Sequence, residues 1–269
     1  MSVDASLVVR TYTQAADHFD GLPFWHHYGQ RTVDLLAPAP GSAMIDLFCG
    51  TGASALPAAR AVGPTGSVLG VDLTPALVEV ARANAARDGL TQARFEAADV
   101  TTFEQPPASV DAVVSVFGLF FANDVAAVLA RAWSWLRPGG RLVSTVWGEV
   151  VLSPGEAWFW EAVLAEDPSL DHISPASKLA TPEALVTAHR AAGLPAPEIM
   201  RERWVMPLAS PEAFWPVILG TSNRGVFESL PAEARARVRS RVLDRLAREH
   251  VAGLDMEALV AIATRPSRR

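Results

Sequence analysis

Three aspartates stand at the ends of short strand-like runs: Asp46 after Met44-Ile45, Asp72 after Ser67 to Val71, and Asp99 after Ala93 to Ala98. The first run enters a glycine-bearing loop, Leu47-Phe48-Cys49-Gly50-Thr51-Gly52, and then a small-residue helix from Ala53 to Val62. Glycines at 50 and 52 let the backbone turn sharply and approach a ligand closely. Free amides at the helix start then face an anionic group. Gly50-x-Gly52-x-x-Ala55 formally fits a dinucleotide fingerprint, which alone is weak. Asp46 decides between ligands, because a pyrophosphate in that loop meets a like charge. S-adenosylmethionine (SAM) has no phosphate and brings an ammonium, a sulfonium and one carboxylate, so the loop suits SAM. A nicotinamide-dependent oxidoreductase is the disfavoured alternative. Asp72 lies 20 residues past Gly52, the spacing at which an acid reaches ribose hydroxyls. Thr74 with Pro75 caps the next helix, which frees Asp72 for that role and sets Leu73 against the adenine.

Asp46-x-x-Cys49-Gly50-Thr51-Gly52 resembles the first motif of class I SAM-dependent methyltransferases. Phe48 stands where that family usually has glycine, and its ring either shapes the pocket near the sulfonium or packs beneath it. The resemblance implies a cofactor set of Asp46, Phe48, Cys49, Gly50, Thr51 and Gly52 on the loop, with Asp72 and Leu73 at the second strand. It also implies that Asp99 accepts from the adenine amino group while the Val100 amide donates to the ring. Ser115 and Val116 leave the fourth strand under the methyl group. Phe117-Gly118-Leu119-Phe120-Phe121 and Trp147-Gly148 are similar to small-molecule methyltransferases of the ubiquinone/menaquinone-biosynthesis type and their natural-product relatives. S-adenosylhomocysteine is then the product. The motifs are specific over about residues 44–148; elsewhere only the architecture matches.

The elements that must carry these residues follow from periodicity. Val8 to Leu36 reads as helical with a break at Gly21-Leu22-Pro23, and its aromatic run includes Tyr12, Phe19, Phe24, Trp25 and Tyr28. We expect a lid there, with rings facing the sulfonium by cation–π attraction. Strands end at Asp46, Asp72 and Asp99, the apolar run Ser109 to Gly118 is a central parallel strand, and Arg141 to Trp147 is the fifth. A helix from Pro182 to Ala192 stops at Gly193. Glu198 to Pro207 and Ala258 to Thr264 make the closing pair, separated by helices near 211–220 and 231–250. The expected fold is α/β: a Rossmann-like, seven-stranded, mostly parallel sheet with helices on both faces, an N-terminal helical lid and a helical insertion before the last strand. The expected divisions are 1–40 for the lid, 41–207 for the SAM-binding core with a loop and helix segment at 150–180, 208–252 for a helical cap over the acceptor site, and 253–269 for the final strand and tail.

Composition bounds the partners. Net charge is −6 over 269 residues, which gives no electrostatic footprint for nucleic acid. The arginines from Arg235 to Arg248 are expected to form a solvated helix face. Cys49 is the single cysteine, which excludes internal disulfides and cysteine-rich metal sites, and no metal is expected. No apolar run is long enough to span a bilayer and Met1 to Arg10 lacks a signal-like core, so a cytoplasmic enzyme without membrane insertion is expected. A homodimer stays open. Methyl transfer needs mainly proximity and exclusion of water, and an apolar pocket of Tyr12, Tyr28, Phe117, Phe120 and Trp147 would supply both. Where the acceptor must lose a proton, a histidine is the economical base; His27 and His26 in the lid are the candidates, with His172 behind them. The expected reaction is methyl transfer to carbon, oxygen or nitrogen of a small apolar or aromatic metabolite. The alternative is a SAM-binding enzyme catalysing a non-methylating cyclisation or rearrangement.

Overall fold

The computed structural model describes residues 4–170 and 174–267. His172 lies outside them.

Two helices open the chain, α1 (Ala5–Phe19) and α2 (Pro23–Leu36). Asp4 caps α1 by accepting from the Ser6 and Leu7 amides, and Pro23 sits at the first position of α2. The core then alternates: β1 (Ala43–Leu47), α3 (Ala55–Val62), β2 (Ser67–Asp72), α4 (Pro75–Arg87), β3 (Ala93–Ala97), β4 (Val110–Val116), α5 (Val125–Trp135) and β5 (Leu136–Trp147). After α6 (Gly155–Glu166) and α7 (Pro182–Ala191) comes β6 (Glu198–Pro207), and α8 (Phe214–Leu219), α9 (Asn223–Ser229) and α10 (Ala232–Arg248) precede β7 (Gly253–Thr264).

The strands form a single seven-stranded sheet in the order β3-β2-β1-β4-β5-β7-β6. β7 runs antiparallel to both its neighbours and the other neighbouring pairs are parallel. Strand order reverses between β1 and β4, where Leu47 pairs with Ser115. A crevice for ligand opens at such a switch point, at the carboxyl ends of the strands. Side chains alternate across the sheet. Met44, Val68, Val114, Val143 and Val260 join α3 and the end of α2 in one core, whereas Ile45, Leu47, Val113, Leu142 and Val146 join the other. Both faces of the central strands are therefore buried, which is why they are apolar without alternation.

Several boundaries differ from the sequence expectation. β5 begins at Leu136 because Val110 pairs with Leu136 and Ala112 with Arg141, so Pro138-Gly139-Gly140 is a bulge within the strand. β7 begins at Gly253 instead of Ala258. Its first half alternates Leu254 and Met256, both buried, with Asp255, and Glu257 is buried between Arg201 and Arg203 at 2.7 and 3.0 Å. Two acids in the run hid the strand. α9 was not foreseen, being seven residues long with polar ends. The arginines of α10 do more than meet solvent: Arg237 and Arg241 pair with Glu166 of α6, and Arg245 pairs with Glu161 and lies over the Trp158 ring at 4.4 Å.

Candidate active site

A cavity of about 220 Å³ opens at the switch point, walled by α1, α2, the β1–α3 loop and the ends of β2, β3 and β4. Its cofactor-side wall follows from the strand ends. The Asp72 carboxylate, almost wholly buried, accepts from the Gly50 amide at 3.0 Å and the Thr74 amide at 2.8 Å. It thus ties the glycine loop to the next turn. Burial raises its pKa above the ordinary carboxylate value, against those two hydrogen bonds. Thr74 occupies the cap position, but its side chain makes no capping bond. Asp99 accepts from the Thr101 amide at 2.8 Å and hydroxyl at 2.7 Å. Leu73, Val100, Cys49 and Gly50 complete that wall. Burial, with the charges of Asp72 and Asp46, pushes the Cys49 thiol far above its usual pKa, so it stays protonated and packs.

Asp46 lies beneath this wall and does not line the cavity. It is fully buried; one oxygen accepts from the Ser54 hydroxyl at 2.6 Å and the other has no hydrogen-bond partner. Burial pushes its pKa up to about 7, the Ser54 bond opposes the shift, and Asp72 adds to it. A buried carboxylate oxygen without a donor is costly unless a cation or donor reaches it. Thr51 and Ser115 are also buried with unpartnered hydroxyls, and neither they nor Gly52 line the cavity.

Aromatic residues make much of the remaining lining. Tyr12, Phe19, Trp25, Phe48, Phe117 and Phe121 all line the cavity. Tyr12 meets Phe19 and Phe121 edge-on, each at 5.7 Å, and burial followed by the Asp72 charge holds its phenol protonated. Phe48 and Phe117 both have left-handed backbones, with φ of 60° and 55°. The left-handed turn at 48 is the conformation that glycine adopts freely and that a ring-bearing residue adopts at a cost. It brings the Phe48 side chain against Gly118, where a Cβ would lie 2.0 Å from the Phe48 Cβ.

Other predicted residues stand one layer behind. Trp147 stacks on Phe117 at 3.7 Å and 14°, and Tyr28 meets both rings edge-on at 5.8 and 5.4 Å. Phe120 backs Phe121 at 4.8 Å. These three support the wall and do not line it; among the adjacent pair, Phe121 is the lining residue. Neither predicted histidine reaches the cavity. His26 is exposed, with Nε2 2.8 Å from the Asp20 carbonyl. His27 stacks on Trp204 of β6 at 4.1 Å and 10°, and burial lowers its pKa. Nor does any residue of 208–252 line it. That insertion packs on α6 and on the lid, where Arg224 donates to the Gln14 carbonyl at 2.6 Å and Gly220 abuts Leu22.

Sequence reasoning missed Ala5, Val8 and Leu77. Ala5, Val8, Tyr12 and Phe19 recur at helical spacing on one face of α1, a periodicity that could have found the first two. Phe19 and Trp25 were legible as lid aromatics but not as lining.

A family model described as a methyltransferase domain matches residues 44–140. The nocamycin O-methyltransferase of Saccharothrix syringae is 30% identical over 255 residues, covering 90% of this chain and 91% of that protein. The aklanonic acid methyltransferase DauC of Streptomyces sp. strain C5 is 34% identical over 140 residues, 51% of this chain and 64% of its own. A SAM-dependent methyltransferase from Aquifex aeolicus shares the fold, with a TM-score of 0.52, 12% identity and coverage of 88% and 89% of the two chains. The glycine loop, the sheet order and a relative matched along nearly its whole length establish that this chain belongs to the class I SAM-dependent methyltransferases.

Proposed function

We propose that this protein transfers the SAM methyl group to a small, largely apolar or aromatic metabolite, with oxygen the favoured acceptor atom. The observation that carries this reading is one cavity lined both by the strand-end carboxylates of Asp72 and Asp99 and by six aromatic residues. The relative matched along nearly its full length, named as an O-methyltransferase, supports the oxygen acceptor.

The residues fit SAM by their chemistry. Asp72 keeps lone pairs for the ribose hydroxyls while its amide bonds fix the loop. Asp99 and the Val100 amide suit an adenine edge. Asp46, with one unpartnered oxygen under the loop, supplies negative charge for an ammonium group. When bound, SAM supplies a methyl carbon already activated by its cationic sulfur. What this chain adds is placement and dryness. Phe48, Phe117, Phe121 and Tyr12 exclude water from the gap, so donor and acceptor meet at near-attack distance without competing solvent. Their ring faces also suit a cationic sulfur. Neither His26 nor His27 is given a part in the chemistry.

The test is label transfer from methyl-labelled SAM into a panel of hydroxylated and carboxylated aromatic metabolites. Label in the organic-soluble fraction supports the reading, and mass spectrometry then identifies the methylated atom. Label only in protein or RNA refutes the acceptor class. Tight SAM binding with no label in any fraction favours the non-methylating alternative.

A further inference from the structure

We propose that Phe48 determines acceptor specificity: its ring is the stacking face on which a planar acceptor lies beside the methyl group. The inference deepens the proposed function and rests on it. Four observations carry it. Phe48 lines the cavity at the carboxyl end of β1, one strand from the Phe117-Gly118 end of β4. Its backbone is left-handed at φ 60°, a conformation that costs about 1–3 kcal/mol and persists at functional sites when the surroundings enforce it. The enforcement is visible, since Gly118 leaves room for the Phe48 Cβ and Cγ, which a side chain at 118 would meet at 2.0 and 2.4 Å.

The fourth observation is the free face. Tyr12 has Phe19 and Phe121 as ring partners, Phe19 has Trp25, and Phe117 has Trp147. Among the described residues Phe48 has no aromatic partner, although it is half-buried and stands among these rings. Phe48 packs against the core on one side and lines the cavity on another, with no aromatic ring stacked on it. An aromatic acceptor gains offset stacking there that a saturated one does not, worth roughly 2- to 12-fold in affinity.

The experiment measures binding to the whole protein by calorimetry. S-adenosylhomocysteine is titrated first; 2-naphthol and its saturated counterpart, decahydro-2-naphthol, are then titrated into the loaded protein. Wild type should prefer the planar probe. Phe48→Leu, which keeps apolar bulk, should weaken 2-naphthol about fivefold and remove the preference, a larger loss than any in S-adenosylhomocysteine affinity. Phe48→Gly relieves the backbone and gives the same comparison should the leucine variant fail to fold. The proposal is overturned if S-adenosylhomocysteine weakens as much as 2-naphthol, if the planar preference survives both substitutions, or if wild type shows no preference. Failure of wild type to bind S-adenosylhomocysteine at all would instead sink the cofactor reading of the cavity.

Discussion

The contact between Phe48 and Gly118 can be tested as a pair. Gly118 has φ −115°, which any residue adopts, so alanine there meets no backbone penalty and its cost is purely steric. The new Cβ would lie 2.0 Å from the Phe48 Cβ, 2.4 Å from Cγ and 2.8 Å from Cδ2. Carbon atoms prefer 3.5–4.0 Å, so the shortfall is about 1.5 Å. The nearest atom is a Cβ fixed to the main chain, so no flexible tip can swing aside. Overpacking of this kind costs about 1–3 kcal/mol, and this case belongs at the upper end, about 3 kcal/mol. Phe48→Gly alone loses about 1 kcal/mol: a half-buried ring gives up roughly half the burial value of a full one, and relief of the left-handed strain offsets part of that. In the double variant the clash is gone, so its loss should match Phe48→Gly alone. The cycle should therefore show about 3 kcal/mol of coupling, far above the scatter for independent sites. Urea unfolding of the four proteins, with m-values compared, measures it. A Gly118→Ala cost below 1 kcal/mol, or a double variant whose loss is the sum of the singles, refutes the argument.

Three further outcomes are expected. Asp72→Ala should weaken S-adenosylhomocysteine by on the order of 1–3 kcal/mol in calorimetry, because the proposed ribose bonds and the Gly50 and Thr74 anchors go together; an unchanged affinity removes Asp72 from the site. Asp46, with its pKa raised from 3.8 to about 7, keeps its proton in the folded protein over a range where the unfolded chain has lost it. Its contribution to ligand-free stability therefore falls as pH rises from about 4 to 7, by on the order of 3–4 kcal/mol. Burial of Asp72 acts in the same direction. SAM affinity should rise over the same window as an ammonium favours the ionised form, and Asp46→Asn should flatten both profiles; parallel profiles in mutant and wild type count against it. Gly29→Ala should destabilise despite alanine's better helix propensity of about 1 kcal/mol, because its Cβ would stand 2.2 Å from the Ala53 carbonyl oxygen. A raised Tm contradicts the close seating of α2 on the loop.

The sheet was legible because its central strands are buried on both faces and their acids fall at strand ends, where backbone geometry alone fixes their position. Asp72, Leu73, Asp99 and Val100 came to one wall for that reason. Residue type said less about depth. Trp147, Tyr28 and Phe120 are as aromatic as Phe117 and Phe121, and only packing decides which ring faces the cavity and which stands behind it. His27 illustrates the same gap: it lies in the aromatic helix α2 that the sequence marks, but helical phase turns it onto Trp204. The insertion was read as a cap because it stands between the two closing strands of the sheet. Its partner, α6 together with the outside of the lid, depends on long-range ion pairs that no local pattern encodes.

The placement of the strain connects fold to chemistry. Phe48 and Phe117 are left-handed at the ends of β1 and β4, the two strands between which the sheet order reverses. Any ligand crevice of this fold opens there. Both residues pack with the core and also line the cavity, and neighbours hold them there: Gly118 under Phe48, Trp147 stacked on Phe117, and the Phe117 amide bonded to the Thr145 carbonyl at 2.8 Å. Gly29 in turn lets α2 settle against Ala53, bringing Trp25 over the same gap. Close backbone approach at two glycines thus shapes the aromatic lining of this crevice, and the two left-handed residues stand at the strand ends between which the sheet order reverses.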